Sequence, residues 1–373
     1  MILVKGDDQT FTHYGEFSQP EVREILLSLI HHPRLESIAS SYNSLWMGIM
    51  SLSRDSSFLV TREIRCVYVG QKEYATVDPS LVDVVGTDGQ GTCVGLVIRN
   101  PRNGMISVAH IDVRKVVEIG LTQMLSCLVD QDDENDDVLD VHIINGYNTA
   151  RREDSDNKFS GLSFFICLKI IEVLCKSTRR FNIQTLHILN RNTIYDQDGN
   201  ASAKFNGFLV ETGTGSIFPT KFHETTKCPD AFIRNSVRLK VALNCPDWDG
   251  NRLLETYDTR SDKFCITPYA WDKSFVEYCE AYQKKSDREI CNILYTVPVN
   301  ENPSIAEFGR GKYAYFIKHP DWKEIFPGGQ PRIFVRTVDG AWRRANKHSQ
   351  MSKRTADDEV SMKSIMHKIL SNM

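Results

Sequence analysis

Thr87, Cys93 and His110 fall within a span of 24 residues and carry the groups of a thiol hydrolase. A thiol reacts as its thiolate, an imidazole can take its proton, and a hydroxyl can orient the imidazole. The stretch from Val82 to Val113 reads V-D-V-V-G-T-D-G-Q-G-T-C-V-G-L-V-I-R-N-P-R-N-G-M-I-S-V-A-H-I-D-V. Val82, Val84 and Val85 lead into the turn Gly86-Thr87-Asp88-Gly89-Gln90-Gly91, and Thr92 to Ile98 is a β-branched, apolar run. Asn100-Pro101-Arg102-Asn103-Gly104 then makes a hairpin connection, and Met105 to Ile111 returns antiparallel. Pairing around that loop is expected to set Cys93 beside His110 as a cross-strand neighbour. The glycines bare the backbone, so the N–H groups of Thr92 and Cys93 are expected to hold a developing oxyanion. Each residue also has a plainer use: Cys93 as a small core side chain, Thr87 as the cap of a turn.

Other chemistries lack their residues. Ten cysteines are scattered without a C-x-x-C pair, and no zinc-ligand spacing is present. G-T-D-G-Q-G-T-C has no lysine to make it a phosphate-binding loop, and Gly309-Arg310-Gly311 is too short for one. Neither a metal nor a cofactor is expected. Asp112 should point to the same side of its strand as His110, where it either holds a substrate cation or is solvated at a strand end. Asp88 invites the same two readings.

The chain has 373 residues, 41 % of them hydrophobic, and a formal charge of −3. That suffices for a substantial core. No apolar run approaches the roughly 18 residues of a membrane span, and the N-terminus does not read as a secretory signal. Near-neutral charge without an extended basic stripe argues against nucleic acid. The expectation is a monomeric cytoplasmic protein with mostly reduced, buried cysteines.

The elements that must position the hairpin follow from periodicity. Ser18-Gln19-Pro20-Glu21 starts a helix, within a helical stretch over 15–55. Ser57–Val60 and Arg65–Val69 are strands. A helix is expected over Val113–Val129, then an acidic loop over Asp130–Asp137 and a strand over Val138–Ile144. Phe159–Lys176 fits a buried helix or a strand, and Asn182–Leu189 a strand. Gly213-Thr214-Gly215 is the turn of a hairpin. Helices over Asp230–Val241 and Asp272–Lys284 follow, with a strand over Asp258–Ile266 between them. Pro303–Lys318 reads as a helix interrupted at Gly309-Arg310-Gly311, and Arg332–Arg336 as the last strand. From Arg343 the composition turns basic, with a short amphipathic helix over Val360–Leu370; this tail could serve nuclear import or docking. The mixed order of strands and helices gives an α+β fold, a layered sandwich of mixed and antiparallel sheets with flanking helices. The expected organisation is one domain over 1–344 and a flexible tail over 345–373.

The stretch G-T-D-G-Q-G-T-C-V-G-L-V-I-R-N with S-V-A-H-I-D-V resembles the core of the eukaryotic protein N-terminal asparagine amidohydrolases. Val67-Tyr68-Val69-Gly70-Gln71-Lys72-Glu73, His142–Tyr147, Ile266–Trp271, Phe316–Pro320 and Asp339–Trp342 extend the likeness, in order, to about Arg344. The spacing of Thr87, Cys93 and His110 is also similar to that of the bacterial chemotaxis-receptor glutamine deamidases. Compared with animal members, this chain has a longer acidic loop at Asp130–Asp137, the basic tail, and an isoleucine between His110 and Asp112. The resemblance implies a deamidase-like core and conversion of N-terminal asparagine to aspartate, with Cys93 as nucleophile, His110 as acid and base, and Thr87 orienting the imidazole. It further implies a carboxylate for the α-ammonium, for which Asp112, Asp88 and Glu73 are the candidates, with Tyr269 as a further substrate-binding residue. The implied partners are proteins or peptides with a free N-terminal asparagine, and an arginyl-transferase that accepts the product.

Overall fold

The computed structural model describes residues 1–4, 10–11, 18–45, 50–52, 64–129, 137–151, 159–223, 226–244, 250–294, 303–338 and 340–345. Its central strand is Val94–Arg99, V-G-L-V-I-R, buried over its first five residues. Val94, Leu96 and Ile98 join one apolar cluster and Val97 joins another, the alternation of a strand covered on both faces. It runs antiparallel to both neighbours, Ile106–Ile111 and Val138–Asn145. Among the described residues the sheet has eight strands. Their order is Leu254–Glu255, Glu73–Val77, Ile106–Ile111, Val94–Arg99, Val138–Asn145, Arg180–His187, Ile2–Val4 and Thr10–Phe11.

Helices Gln19–Ile30, Val117–Ser126 and Leu162–Lys176 cover one face through Leu26, Leu29, Leu121, Met124, Ile166 and Ile170. The other face meets a second sheet, ordered Met50–Leu52, Ile217–Phe222, Phe208–Glu211, Val84–Thr87 and Cys66–Tyr68. Val97 and Val108 pack there with Val85, Phe208 and Val210. The same cluster takes in Phe264 and Phe334 of a third sheet and residues of helices Lys273–Gln283 and Pro303–Lys318. The architecture is α+β, with mixed and antiparallel sheets in layers and helices flanking them.

Several boundaries depart from the sequence reading for local reasons. The apolar run after Gly161 is a helix, Leu162–Lys176, 15 residues long and so beyond ordinary strand length. Pro303–Lys318 is helical throughout, without an interruption. A Cβ at Gly311 would stand 3.2 Å from the Phe232 ring, so this glycine serves close packing instead of a break. Arg310 projects from that helix to the carbonyls of Gln283 and Lys285, at 2.9 and 2.8 Å. Trp342–Arg344 pairs with Arg332–Arg336, so the basic composition begins inside a sheet. The helix expected from Val113 starts as a 3-10 turn, Arg114–Val116, before Val117–Ser126. Ser57–Val60, the acidic loop over 130–136 and the helix at Val360–Leu370 lie outside the described residues.

Candidate active site

The hairpin forms in a different register from the one expected. Asn100 N–H bonds the Met105 carbonyl at 3.0 Å, and its side chain accepts from Arg102 N–H at 2.9 Å, so the loop closes at Asn100 and Met105. Gly95 therefore pairs with His110, and Val94 with Ile111. Cys93 lies just before the ladder, diagonal to His110 and on its face of the sheet, since i and i+2 point the same way. The residue beside the imidazole is thus a glycine. A Cβ at Gly95 would stand 2.2 Å from Phe208 Cε1, so the ring from the second sheet excludes any side chain there.

Thr87 comes from that second sheet. It ends the strand Val84–Thr87, two residues further along than the sequence reading ended it, and pairs with Phe208. Its Oγ1 stands 2.8 Å from His110 Nδ1, across the interface between the sheets. Both residues are buried, as are Cys93 and His110 Nε2. With Nδ1 engaged by Thr87, Nε2 is the nitrogen available for proton transfer.

Gln71, which no catalytic argument from sequence singled out, joins two of the expected site residues. Its Nε2 lies 3.8 Å from Cys93 Sγ and 3.4 Å from Asp112 Oδ2. It sits in a tight turn held at both ends: Glu73 N–H bonds the Gly70 carbonyl at 3.1 Å, and Lys72 N–H bonds the His110 carbonyl at 2.9 Å. Lys72 takes a positive φ of 65° to make the turn.

Glu73 braces this turn. Its carboxylate accepts from Gly70 N–H at 2.7 Å and forms a buried ion pair with Arg234. Asp88 is likewise committed, accepting from the Tyr68 hydroxyl at 3.0 Å and Phe222 N–H at 2.8 Å and pairing with Lys227 at 3.2 Å. Burial and the Asp88 charge hold the Tyr68 hydroxyl well above the usual phenol range, so it stays a donor. Tyr269 belongs to an aromatic cluster, its ring 5.4 Å from that of Trp271, and burial raises its phenol. Of the three carboxylates, Asp112 is the one that shares a partner with the thiol. Its Oδ1 is buried with no hydrogen-bond partner among the described residues.

The peptide between Thr92 and Cys93 is fixed from the helix side. Ser163, in the first turn of Leu162–Lys176, donates its hydroxyl to the Thr92 carbonyl at 2.9 Å. In a planar trans peptide the N–H points opposite to the C=O. With its carbonyl turned to Ser163, this peptide directs the Cys93 N–H away from the helix start. Gln90 ties the glycine-rich turn to the sheet: its Oε1 accepts from Asn145 Nδ2 at 2.6 Å, and Asn145 holds a positive φ of 66° opposite Val94. Ser163 and Gln90 lie far from their partners in sequence or in a turn, and only topology finds them.

A thiol, an imidazole oriented by a hydroxyl and a fixed backbone N–H form the equipment of a thiol-dependent amide hydrolase. Elsewhere in the core, burial pushes Cys175 and Cys279 up to about 11 and raises Cys167 further, which keeps them protonated thiols. Comparison with known proteins carries the class to a family. A family model described as protein N-terminal asparagine amidohydrolase matches residues 57–344. The chain is 40 % identical to the Arabidopsis thaliana protein of that name over 332 residues, 88 % of this chain and 94 % of the plant protein. It is 24 % identical to the Sus scrofa and 23 % to the Homo sapiens proteins of that name, each over 74 % of this chain and 83 % of the relative. The chain belongs to the protein N-terminal asparagine amidohydrolase family.

Proposed function

We propose that this enzyme hydrolyses the side-chain amide of asparagine at the N-terminus of proteins, through a thioester on Cys93. The observation that carries the reading is the bridge made by Gln71: one amide nitrogen touches both the thiol and a carboxylate with an unsatisfied oxygen. An N-terminal asparagine needs those two groups that close together, because its ammonium and its carboxamide carbon are separated by only two carbons. Its α-amino group has a pKa of about 7.7–8.0 and is largely ammonium at neutral pH. Asp112 pairs with that ammonium, and an internal asparagine offers nothing equivalent.

The thiol proton passes to His110 Nε2, and sulfur attacks the carboxamide carbon. The oxyanion is held by backbone N–H groups at Thr92 and Cys93. The imidazolium returns its proton to the departing nitrogen, ammonia leaves, and a thioester remains. Water then loses a proton to neutral His110 and attacks the thioester carbon; sulfur leaves and is reprotonated, giving aspartate and free Cys93. Thr87 keeps Nε2 directed at the sulfur throughout. Glutamine carries one more methylene, which displaces its carboxamide once the ammonium is fixed, so asparagine is preferred. In this reading the enzyme acts as a monomer in the cytoplasm, reaches the nucleus where its basic tail is read for import, and supplies an arginyl-transferase with aspartate-initiated proteins.

Mass spectrometry with ammonia release on an Asn-initiated peptide, its N-acetylated form and its Gln-initiated form tests the assignment. Deamidation of the free Asn peptide, with little or none of the others, is the expected result. Turnover of the acetylated peptide would move the assignment to an internal deamidase, and binding without turnover to a reader of N-terminal asparagine.

A further inference from the structure

Arg234 stands in the first turn of the helix Ala231–Asn244, and its buried guanidinium meets three sheets at once. Its Nε and Nη2 both donate to the carboxylate of Glu73, the first residue of a strand in the eight-stranded sheet; the Nε bond is 3.1 Å. Nη2 also donates to the Tyr68 carbonyl, on the second sheet, at 2.7 Å. The guanidinium carbon lies 4.6 Å from the centre of the Phe264 ring, on the third sheet. A planar fork can serve two carboxylate oxygens, a carbonyl and a ring face together, which a compact ammonium cannot.

What the fork holds is the turn that carries Gln71. Glu73 closes that turn twice: its N–H bonds the Gly70 carbonyl at 3.1 Å, and its carboxylate accepts from Gly70 N–H at 2.7 Å. A Cβ at Gly70 would stand 2.9 Å from Glu73 Oε2, so the carboxylate fits against bare backbone. Between these two residues, Lys72 N–H reaches the His110 carbonyl, and Gln71 Nε2 reaches Cys93 Sγ and Asp112 Oδ2. Arg234, Glu73, the turn and Gln71 thus join the helix to the thiol, each step a contact. Exchanging a buried ion pair for apolar residues is often neutral for stability, whereas its directed, charge-assisted hydrogen bonds fix geometry.

We propose that Arg234 is a positioning residue for the deamidation: acting through Glu73, it holds Gln71 against Cys93. Its effect on turnover rests on the amidohydrolase reading; its effect on the thiol does not.

A double-mutant cycle of Arg234→Lys with Gln71→Leu tests this, with two readouts. One is kcat and KM for an Asn-initiated peptide; the other is the pH dependence of Cys93 alkylation by iodoacetamide, followed by mass spectrometry. Arg234→Lys should lower kcat/KM about ten-fold when Gln71 is present, mostly through kcat, and less than about two-fold once Gln71 is leucine. His110 and Asp112, the titratable groups beside the sulfur, are unchanged in these variants. The alkylation midpoint should therefore move to higher pH with Arg234→Lys, as the amide donor that favours the thiolate is withdrawn. With Gln71→Leu already in place it should move no further. Glu73→Gln, which keeps the shape of the acceptor, should behave like Arg234→Lys and serves as the second variant if the first does not fold. An equal fold-loss in both backgrounds, or an unmoved alkylation midpoint, makes Arg234 a structural residue and overturns the proposal. A wild type that deamidates no peptide, while its alkylation midpoint still responds to Arg234→Lys, would instead overturn the amidohydrolase reading and support the positioning.

Discussion

Two histidines rise from the same face of the eight-stranded sheet, one on each neighbour of the strand Val94–Arg99, and each is held by a threonine. His110 Nδ1 meets Thr87 Oγ1 at 2.8 Å; His142 Nδ1 meets Thr185 Oγ1 at 3.0 Å. The pairs differ in what the central strand offers them. Opposite His110 it presents Gly95, with Cys93 two residues earlier at the strand's open end. Opposite His142 it presents Val97, in mid-strand. The threonines differ too: Thr185 sits on the adjacent strand of the same sheet, whereas Thr87 reaches across from the second sheet. An oriented imidazole is therefore common to both places. A thiol at a strand end, with a missing side chain beside the ring, belongs to one.

That contrast breaks most sharply at the reacting groups. Cys93→Ala or His110→Gln should lower kcat/KM for an Asn-initiated peptide by roughly 10⁴-fold, while His142→Gln should change it less than about three-fold. A large loss with His142→Gln in a folded protein would mean that the two pairs are not as different as their surroundings. Asp112→Asn should cost roughly 10–100-fold, mostly in KM, as the loss of a hydrogen bond to a charged group. Gln71→Leu should cost about ten-fold and shift the acid limb of the kcat/KM profile to higher pH, because an amide donor to sulfur favours the thiolate. Thr87→Val should cost about ten-fold, with Thr87→Ser restoring most of it; an equal loss in Thr87→Ser would make the residue a packing element.

A third buried imidazole sets the small end of the comparison. Burial, with Lys204 and Arg191 adding to it, pulls His187 down to about 3, and its ring lies 4.8 Å from that of Tyr42. Unfolded, it would titrate near 6.5. Between those values the unfolded chain holds a proton the fold excludes, so stability should fall as pH drops below about 6.5, by at most about 1.4 kcal/mol per pH unit. Urea melts of wild type and His187→Phe at pH 7.5 and 5 check this, with the variant losing less on acidification.

The parts of the site written within one hairpin were legible in sequence: glycine-rich turn, apolar strand, loop and returning strand put a thiol and an imidazole on one face. The register was not, because Asn100 carries its own turn by side-chain bonding and moves the ladder by two residues. The partners of Glu73 and Asp88 were not legible, because sequence does not reveal Arg234, Tyr68 or Lys227 beside them. Gln71 and Ser163 were hidden for the complementary reason. Each is an ordinary polar residue until a turn at Lys72 or a helix start at Gly161 delivers it to Cys93 or Thr92. Some helices were found to within a few residues, but Asp287–Leu294 was not read, and the helical stretch over 15–55 holds two helices, Gln19–Ile30 and Pro33–Ser44, and a strand, Met50–Leu52. The buried strand Glu73–Val77 escaped notice, being buried at every position and so without alternation.

The central claim, that Cys93 carries the substrate as a thioester, is tested most directly by turning over an Asn-initiated peptide in the presence of hydroxylamine. A thioester partitions between water and the added nucleophile, so part of the product should be the aspartyl β-hydroxamate, rising with hydroxylamine concentration and absent with Cys93→Ala. Aspartate alone at every concentration, or the same hydroxamate from Cys93→Ala, would contradict the account.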